Sequence, residues 1–195
     1  NYAAIENNTL FFIGNASTPM SEGNDLLADR KENAKRATVV DTLSTYTYVF
    51  NTENPLFADK NVRRALSLAL DREAMAKAIT FAKAATGFLP DTVIDTATGK
   101  TFRKDTLLGT GADLTAARAA LAAAEIPAGV ARAFTLTVQD DAENRALAAL
   151  AKTAWEELGF TVTVKYAQPV THKVYDVSTG AEVAITDSGM QTLIK

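Results

Sequence analysis

The chain has 195 residues, 47% of them hydrophobic and 22% charged, with a formal net charge of −3. That is enough for one domain, or two small ones, with a real apolar core; it excludes intrinsic disorder, and the slight acidity argues against nucleic acid. With no cysteine, one histidine (His172) and no apolar run near the ~20 residues of a membrane span, the sequence leaves out disulfide frameworks, thiolate metal centres, cysteine nucleophiles and most His-based metal sites.

The first residues, Asn1-Tyr2-Ala3-Ala4, include neither an initiating Met nor a signal-peptide pattern, and both ends read as cut points in a longer protein. Leu10-Phe11-Phe12-Ile13 predicts a short strand or a buried helix end before Gly14-Asn15, and the charge-rich stretch 21–37 a solvated helix or long loop. Thr38-Val39-Val40 and then Thr45 to Phe50 are β-branched and aromatic, with Tyr46, Tyr48 and Phe50 on one face of a strand that Asn51-Thr52 stop. Asn54-Pro55-Leu56-Phe57 reads as an extended link, because the residue before a proline avoids the helical region.

Asp59 caps a helix whose inward stripe is Val62, Leu66, Ala69 and Leu70; Asp71 caps a second, Arg72 to about Ala82, with Met75, Ala78 and Ile79 inward. Gly87 to Pro90 breaks it, and residues 91–112 read as a long loop. An alanine-rich helix opens at Asp113-Leu114 and runs to Ala124. Phe134, Leu136 and Val138 alternate with threonines in a strand; Ala142 to Leu158 is the strongest helix, with Leu147, Leu150, Ala154 and Leu158 as its stripe and Gly159 as its C-cap. Trp155 is only partly aligned with that stripe, yet core packing suits it better than a ligand platform. Phe160 to Tyr166 alternates again, so 134–166 is a strand–helix–strand unit able to cross over onto a parallel neighbour. Residues 175–183 suggest a hairpin with a turn at Gly180, and the last eight residues the start of a helix capped by Asp187 or Ser188. His172, among Thr and Lys, reads as a surface residue.

Catalytic motifs are absent: there is no Gly-x-Ser-x-Gly elbow, phosphate loop or dinucleotide fingerprint. Asp140-Asp141 with Glu143 could serve acid–base chemistry in a small α/β hydrolase-type enzyme together with Arg63, or bind a hard cation. Acids also favour a helix N-terminus for capping and dipole reasons, and that structural role is preferred. Arg63-Arg64 could clamp a carboxylate, although an arginine in a first helical turn is more often solvated or tied to a nearby loop.

One stretch is more specific. An aromatic strand ends in Phe50-Asn51; Pro55-Leu56-Phe57 and Asp59 follow; then come Val62-Arg63-Arg64-Ala65-Leu66, Ala69-Leu70 and Asp71-Arg72. This order resembles the signature of the family 5 extracellular solute-binding proteins, the oligopeptide, dipeptide and nickel receptors of ABC importers. Ala85 to Pro90, the helix after Asp113 and the unit from Phe134 through Trp155 and Gly159-Phe160 extend the resemblance over roughly 38–166.

The resemblance implies an α/β fold with a mixed sheet flanked by helices, one lobe of a type II periplasmic-binding-protein-like fold. Residues 1–195 would be a single domain forming most of the second lobe. It implies a non-enzymatic receptor, periplasmic or on the outer face of a bacterial membrane, held there by an anchor outside this chain as in a lipoprotein. Its partners would be a peptide or other small solute, the N-terminal lobe of the same protein and the transporter permease; no cofactor, metal or nucleic acid is expected. The family's ligand-facing positions fall on Gln139 and Asn144, both amides suited to a peptide backbone. Ordinary capping and surface roles stand equally for the two, and a sensor or interaction module derived from the same fold is a further alternative.

Overall fold

A computed structural model describes residues 45–79, 82–103, 109–168, 171–175, 182–186 and 192–194. The expected strand at 10–13, the 21–37 segment, the strand at 38–40, the Gly180 turn and the Asp187 or Ser188 cap lie outside these residues.

The entry strand β1 is Tyr48–Phe50, starting later than Thr45 because its ladder is as long as its partner: Tyr48, Val49 and Phe50 pair with Thr192, Leu193 and Ile194. Val49 is exposed, whereas Tyr48 and Phe50 pack against the core. Asn54 is extended (φ −70°, ψ 123°), as a residue before proline should be, but the next four residues form a helix, α1 (Pro55–Ala58), rather than an extended link. Proline in the first turn forfeits no intrahelical bond, and the Asn54 side chain accepts from the Leu56 amide at 3.0 Å. The residue that forces Asn54 out of the helical region thus also starts the helix.

Asp59 caps α2 (Lys60–Leu68), which buries Val62, Ala65 and Leu66, with Ala69 and Leu70 buried just beyond it. Asp71 caps α3, but α3 spans only Arg72–Lys77; Ala78 is exposed and Met75 and Ile79 are half-buried. No residue of α3 is buried, so no packing face extends it toward Ala82. The 91–103 excursion closes on an Ile94–Thr101 bridge, with Gly99 at φ +67°. Asp113 then caps α4 (Leu114–Ala122), which packs on α2 and is tied to it by Asp113 N donating to Leu68 O at 2.8 Å.

Ala133–Gln139 forms β2, Ala142–Glu157 forms α5 and Thr161–Ala167 forms β3, with β2 and β3 parallel, as the strand–helix–strand spacing allows. Antiparallel β4 (Thr171–Tyr175) and β5 (Glu182–Thr186) form a separate two-stranded sheet, with His172 in β4; of the hairpin expected over 175–183, only Tyr175, Glu182 and Val183 are among the described residues, at the facing ends of these strands. The helix expected at the C-terminal end is instead a strand, β6 (Thr192–Ile194). It fills the slot between β1 and β2, parallel to the first and antiparallel to the second, and completes the sheet order β1-β6-β2-β3. Two open edges are satisfied at once, which outweighs the local capping signal.

The core lies between this sheet and the helices. The buried stripe of α5 is Asn144, Leu147, Ala148, Ala151 and Trp155; Leu150, expected inward, is 39% exposed. Small side chains at 148 and 151 let the helix settle against the sheet on that side, which brings Trp155 to its centre. Trp155 is fully buried, and its indole N–H donates to Leu66 O at 2.9 Å, satisfying a carbonyl at the frayed end of α2. Ring contacts run Tyr46–Tyr48–Trp155–Phe134–Phe57–Phe50 at centroid spacings of 5.2–5.5 Å. Burying each large side chain contributes about 1.5–3 kcal/mol. Gly159 (φ +88°) ends α5 in a Schellman motif: Gly159 N donates to Glu156 O and Phe160 N to Trp155 O.

Candidate functional site

The C-terminal end of β2 and the first turn of α5 meet the start of β1. Because β1 runs with β6 and β6 runs against β2, the residues entering β1 lie beside the residues leaving β2. Here the Tyr46 hydroxyl donates to Asn144 Oδ1 at 2.8 Å. Asn144 Nδ2 donates to Asp141 Oδ2 at 2.6 Å, and Asp141 Oδ1 accepts from the Asn144 amide at 2.8 Å, as an N-cap does. Asn144 is 4% exposed, the one buried polar side chain among the described residues. Next to Tyr46, burial pushes the Tyr48 phenol well above the ordinary range, with Tyr46 acting in the same direction.

Gln139 is the last residue of β2 and half-buried. By strand alternation it shares a face with Thr135 and Thr137, away from the buried Phe134, Leu136 and Val138. The two candidate amides therefore occupy one end of the sheet without sharing a face: Gln139 borders the rim, and Asn144 lies beneath it with its side-chain oxygen and nitrogen both engaged.

The acids at this end are held in structural roles. Asp140 Oδ1 accepts from Arg145 Nε at 2.7 Å and pairs with Nη2 at 2.5 Å, while the Arg145 guanidinium sits 4.0 Å from the centroid of the Tyr166 ring. Asp141 caps α5. Partial burial, with Asp141 nearby, raises the Glu143 carboxyl above its ordinary value. Arg63 donates to the carbonyls of Phe57 (2.6 Å) and Ala58 (2.9 Å), closing the end of α1, so it is tied to a neighbouring turn and lies on a different element from Asp140 and Asp141. No group of three or more acidic or histidine side chains able to hold a metal assembles among the described residues. Away from this rim, a concavity of about 230 Å³ flanks the other half of α5; Met75, Leu114 and Leu150 line it, and it is mainly apolar.

Sequence reasoning missed Tyr46 and Arg145 at this rim. The parity of Tyr46 with Tyr48 was visible, but its partner stands 98 positions away and nothing local announces it.

The mixed sheet flanked by helices is a periplasmic-binding-protein-like fold, the class to which its similarity to solved structures assigns it. The chain belongs to the bacterial extracellular solute-binding proteins, family 5, whose model matches residues 3–193. Among solved structures it is similar to the pheromone receptor PrgZ (TM-score 0.59, 22% identity, 77% of this chain and 34% of that one). It is also similar to the oligopeptide-binding protein AppA from Bacillus subtilis (TM-score 0.50, 22% identity, 66% of this chain and 27% of that one). A third is clavulanic acid biosynthesis oligopeptide binding protein 2 (TM-score 0.50, 24% identity, 74% of this chain and 26% of that one). The chain spans about a third of their length or less. No curated protein matches it by sequence. The family and these neighbours are binding proteins rather than enzymes. Among the described residues no helix is long and apolar enough to cross a membrane.

Proposed function

We propose that this chain forms most of the second lobe of a two-lobed receptor that binds peptides for an ABC importer. The observation that carries the reading is the family match over almost the whole chain, 3–193; peptide is favoured as the solute because the solved relatives include oligopeptide-binding proteins. Work of this kind is closure on a hinge rather than bond making: a ligand that binds the closed arrangement better shifts the population toward it. Gln139 supplies a donor and an acceptor to the peptide backbone at the rim, and Asn144 serves the same rim from beneath by holding Tyr46 in place. The other lobe of the protein completes the cleft, and the closed receptor delivers its cargo to the permease at the outer face of the membrane.

One lobe supplies only part of the contacts. Calorimetry of the isolated chain with a library of short peptides is expected to give binding weaker than about 100 μM, that is, less than roughly 5.5 kcal/mol. Micromolar binding to the isolated chain would contradict the half-site reading.

A further inference from the structure

Strand β3 ends the sheet: it has β2 on one side and, among the described residues, no strand on the other. Parallel ladders alternate, so every second residue turns its N–H and C=O toward the neighbour and the residues between turn theirs outward. Thr161 N donates to Arg132 O at 2.8 Å and Ala167 O accepts from Asp140 N at 3.0 Å, which places the odd-numbered residues on the β2 side. The backbone groups of Val162, Val164 and Tyr166 therefore face the open edge. An edge of this kind is a template on which another strand can add.

Side chains of α5 reach that edge. Lys152 Nζ donates to Val162 O at 2.6 Å and also pairs with Glu156, one helical turn further on. Glu156 faces the amide of the same residue: Lys152 first, and then the Val162 N–H, lower its carboxyl below the ordinary range. The ion pair thus presents a donor and an acceptor to Val162 where an adjoining strand would. Two turns toward the N-terminus, Arg145 lies over the ring of Tyr166, so one stripe of α5 follows β3 along its length. Surface ion pairs at i,i+4 spacing contribute only a few tenths of a kcal/mol to stability, so stability alone gives little reason for this arrangement.

We infer that the Lys152–Glu156 pair is an edge guard: it occupies the outward backbone of Val162, at the start of the β3 edge, and prevents a second copy of this chain from adding to the sheet there. An antiparallel β3–β3 pair is the contact it blocks, since a two-fold arrangement of identical edges closes on itself.

The test compares the 195-residue chain with K152A/E156A and with K152M, which keeps the aliphatic stem and removes the ammonium. Sedimentation velocity over a concentration series is expected to show more self-association in both variants than in the parent. Hydrogen exchange in the associated form is expected to show roughly tenfold or greater protection gained at the amides of Val162, Val164 and Tyr166, and none at Thr161, Thr163 and Lys165. If the double variant does not fold, K152M carries the test. Unchanged association, or association without that alternating gain of protection, overturns the inference.

Discussion

The hydroxyl of Tyr46 and the side-chain oxygen of Asn144, 98 positions apart, lie 2.8 Å from each other and join the approach to β1 to the first turn of α5. Asn144 passes the link on to Asp141, the cap of that helix. Replacing Tyr46 by Phe keeps the ring but removes the donor to a buried amide and the hydroxyl beside the Tyr48 phenol. A loss of about 1 kcal/mol is expected, read as a lower urea midpoint with an unchanged slope. Asn144→Ala, which also releases Asp141 Oδ2, is expected to cost more than Tyr46→Phe.

Trp155 is the centre of the core and also a hydrogen-bond donor. Trp155→Phe keeps a buried ring but leaves Leu66 O without its partner and creates a small void. A loss of about 2–4 kcal/mol is expected from the two effects together, measured by thermal and chemical unfolding. A near-neutral result would mean that Leu66 O finds another donor.

At Gly159 the space for a side chain is open: a Cβ there would meet no atom within 4 Å, yet φ is +88°. Gly159→Ala is therefore a test of backbone conformation alone, expected to cost about 1 kcal/mol. Unfolding of this variant beside Leu150→Ala, expected to stay within about 0.5 kcal/mol because Leu150 is partly exposed, separates the cap from the helix surface.

Asp59 holds two elements together, accepting from Asn61 N and Glu125 N at 2.6 Å each. The Glu125 and Asn61 amides hold its carboxyl below the usual 3.8. A carboxyl lowered in the folded state contributes stability above its unfolded pKa and loses it as pH falls through the folded value. The gap in melting temperature between the parent and Asp59→Ala is expected to be widest at neutral pH and to narrow as pH drops below about 4. A constant gap down to pH 2 would show that the charge on Asp59 is irrelevant.

Much of this fold is legible locally. Asp59, Asp71 and Asp113 each stand one residue before the helix they cap, and the alternation in 134–138 and 160–166 gives parallel neighbours with the intervening helix in place. The features that escape are set by distant partners. Thr192 to Ile194 become a strand because β1 and β2 leave a slot for one, and Leu150 turns outward because Ala148 and Ala151 admit the sheet on the other side. At the rim, Gln139 and Asp141 sit where a strand end and a cap belong. The bond from Tyr46 depends on β1 running against β2, which no short window of sequence contains.

The central claim is that the end of β2 and the start of α5 form one side of a peptide-binding cleft. Its most direct test is an NMR titration of the isotope-labelled chain with short peptides. Saturable amide shifts are expected, concentrated at Gln139 to Asn144 and Tyr46, with half-saturation near the millimolar range, about 4 kcal/mol of binding. Saturable shifts gathered instead around Met75 and Leu150, or none at any residue, would contradict it.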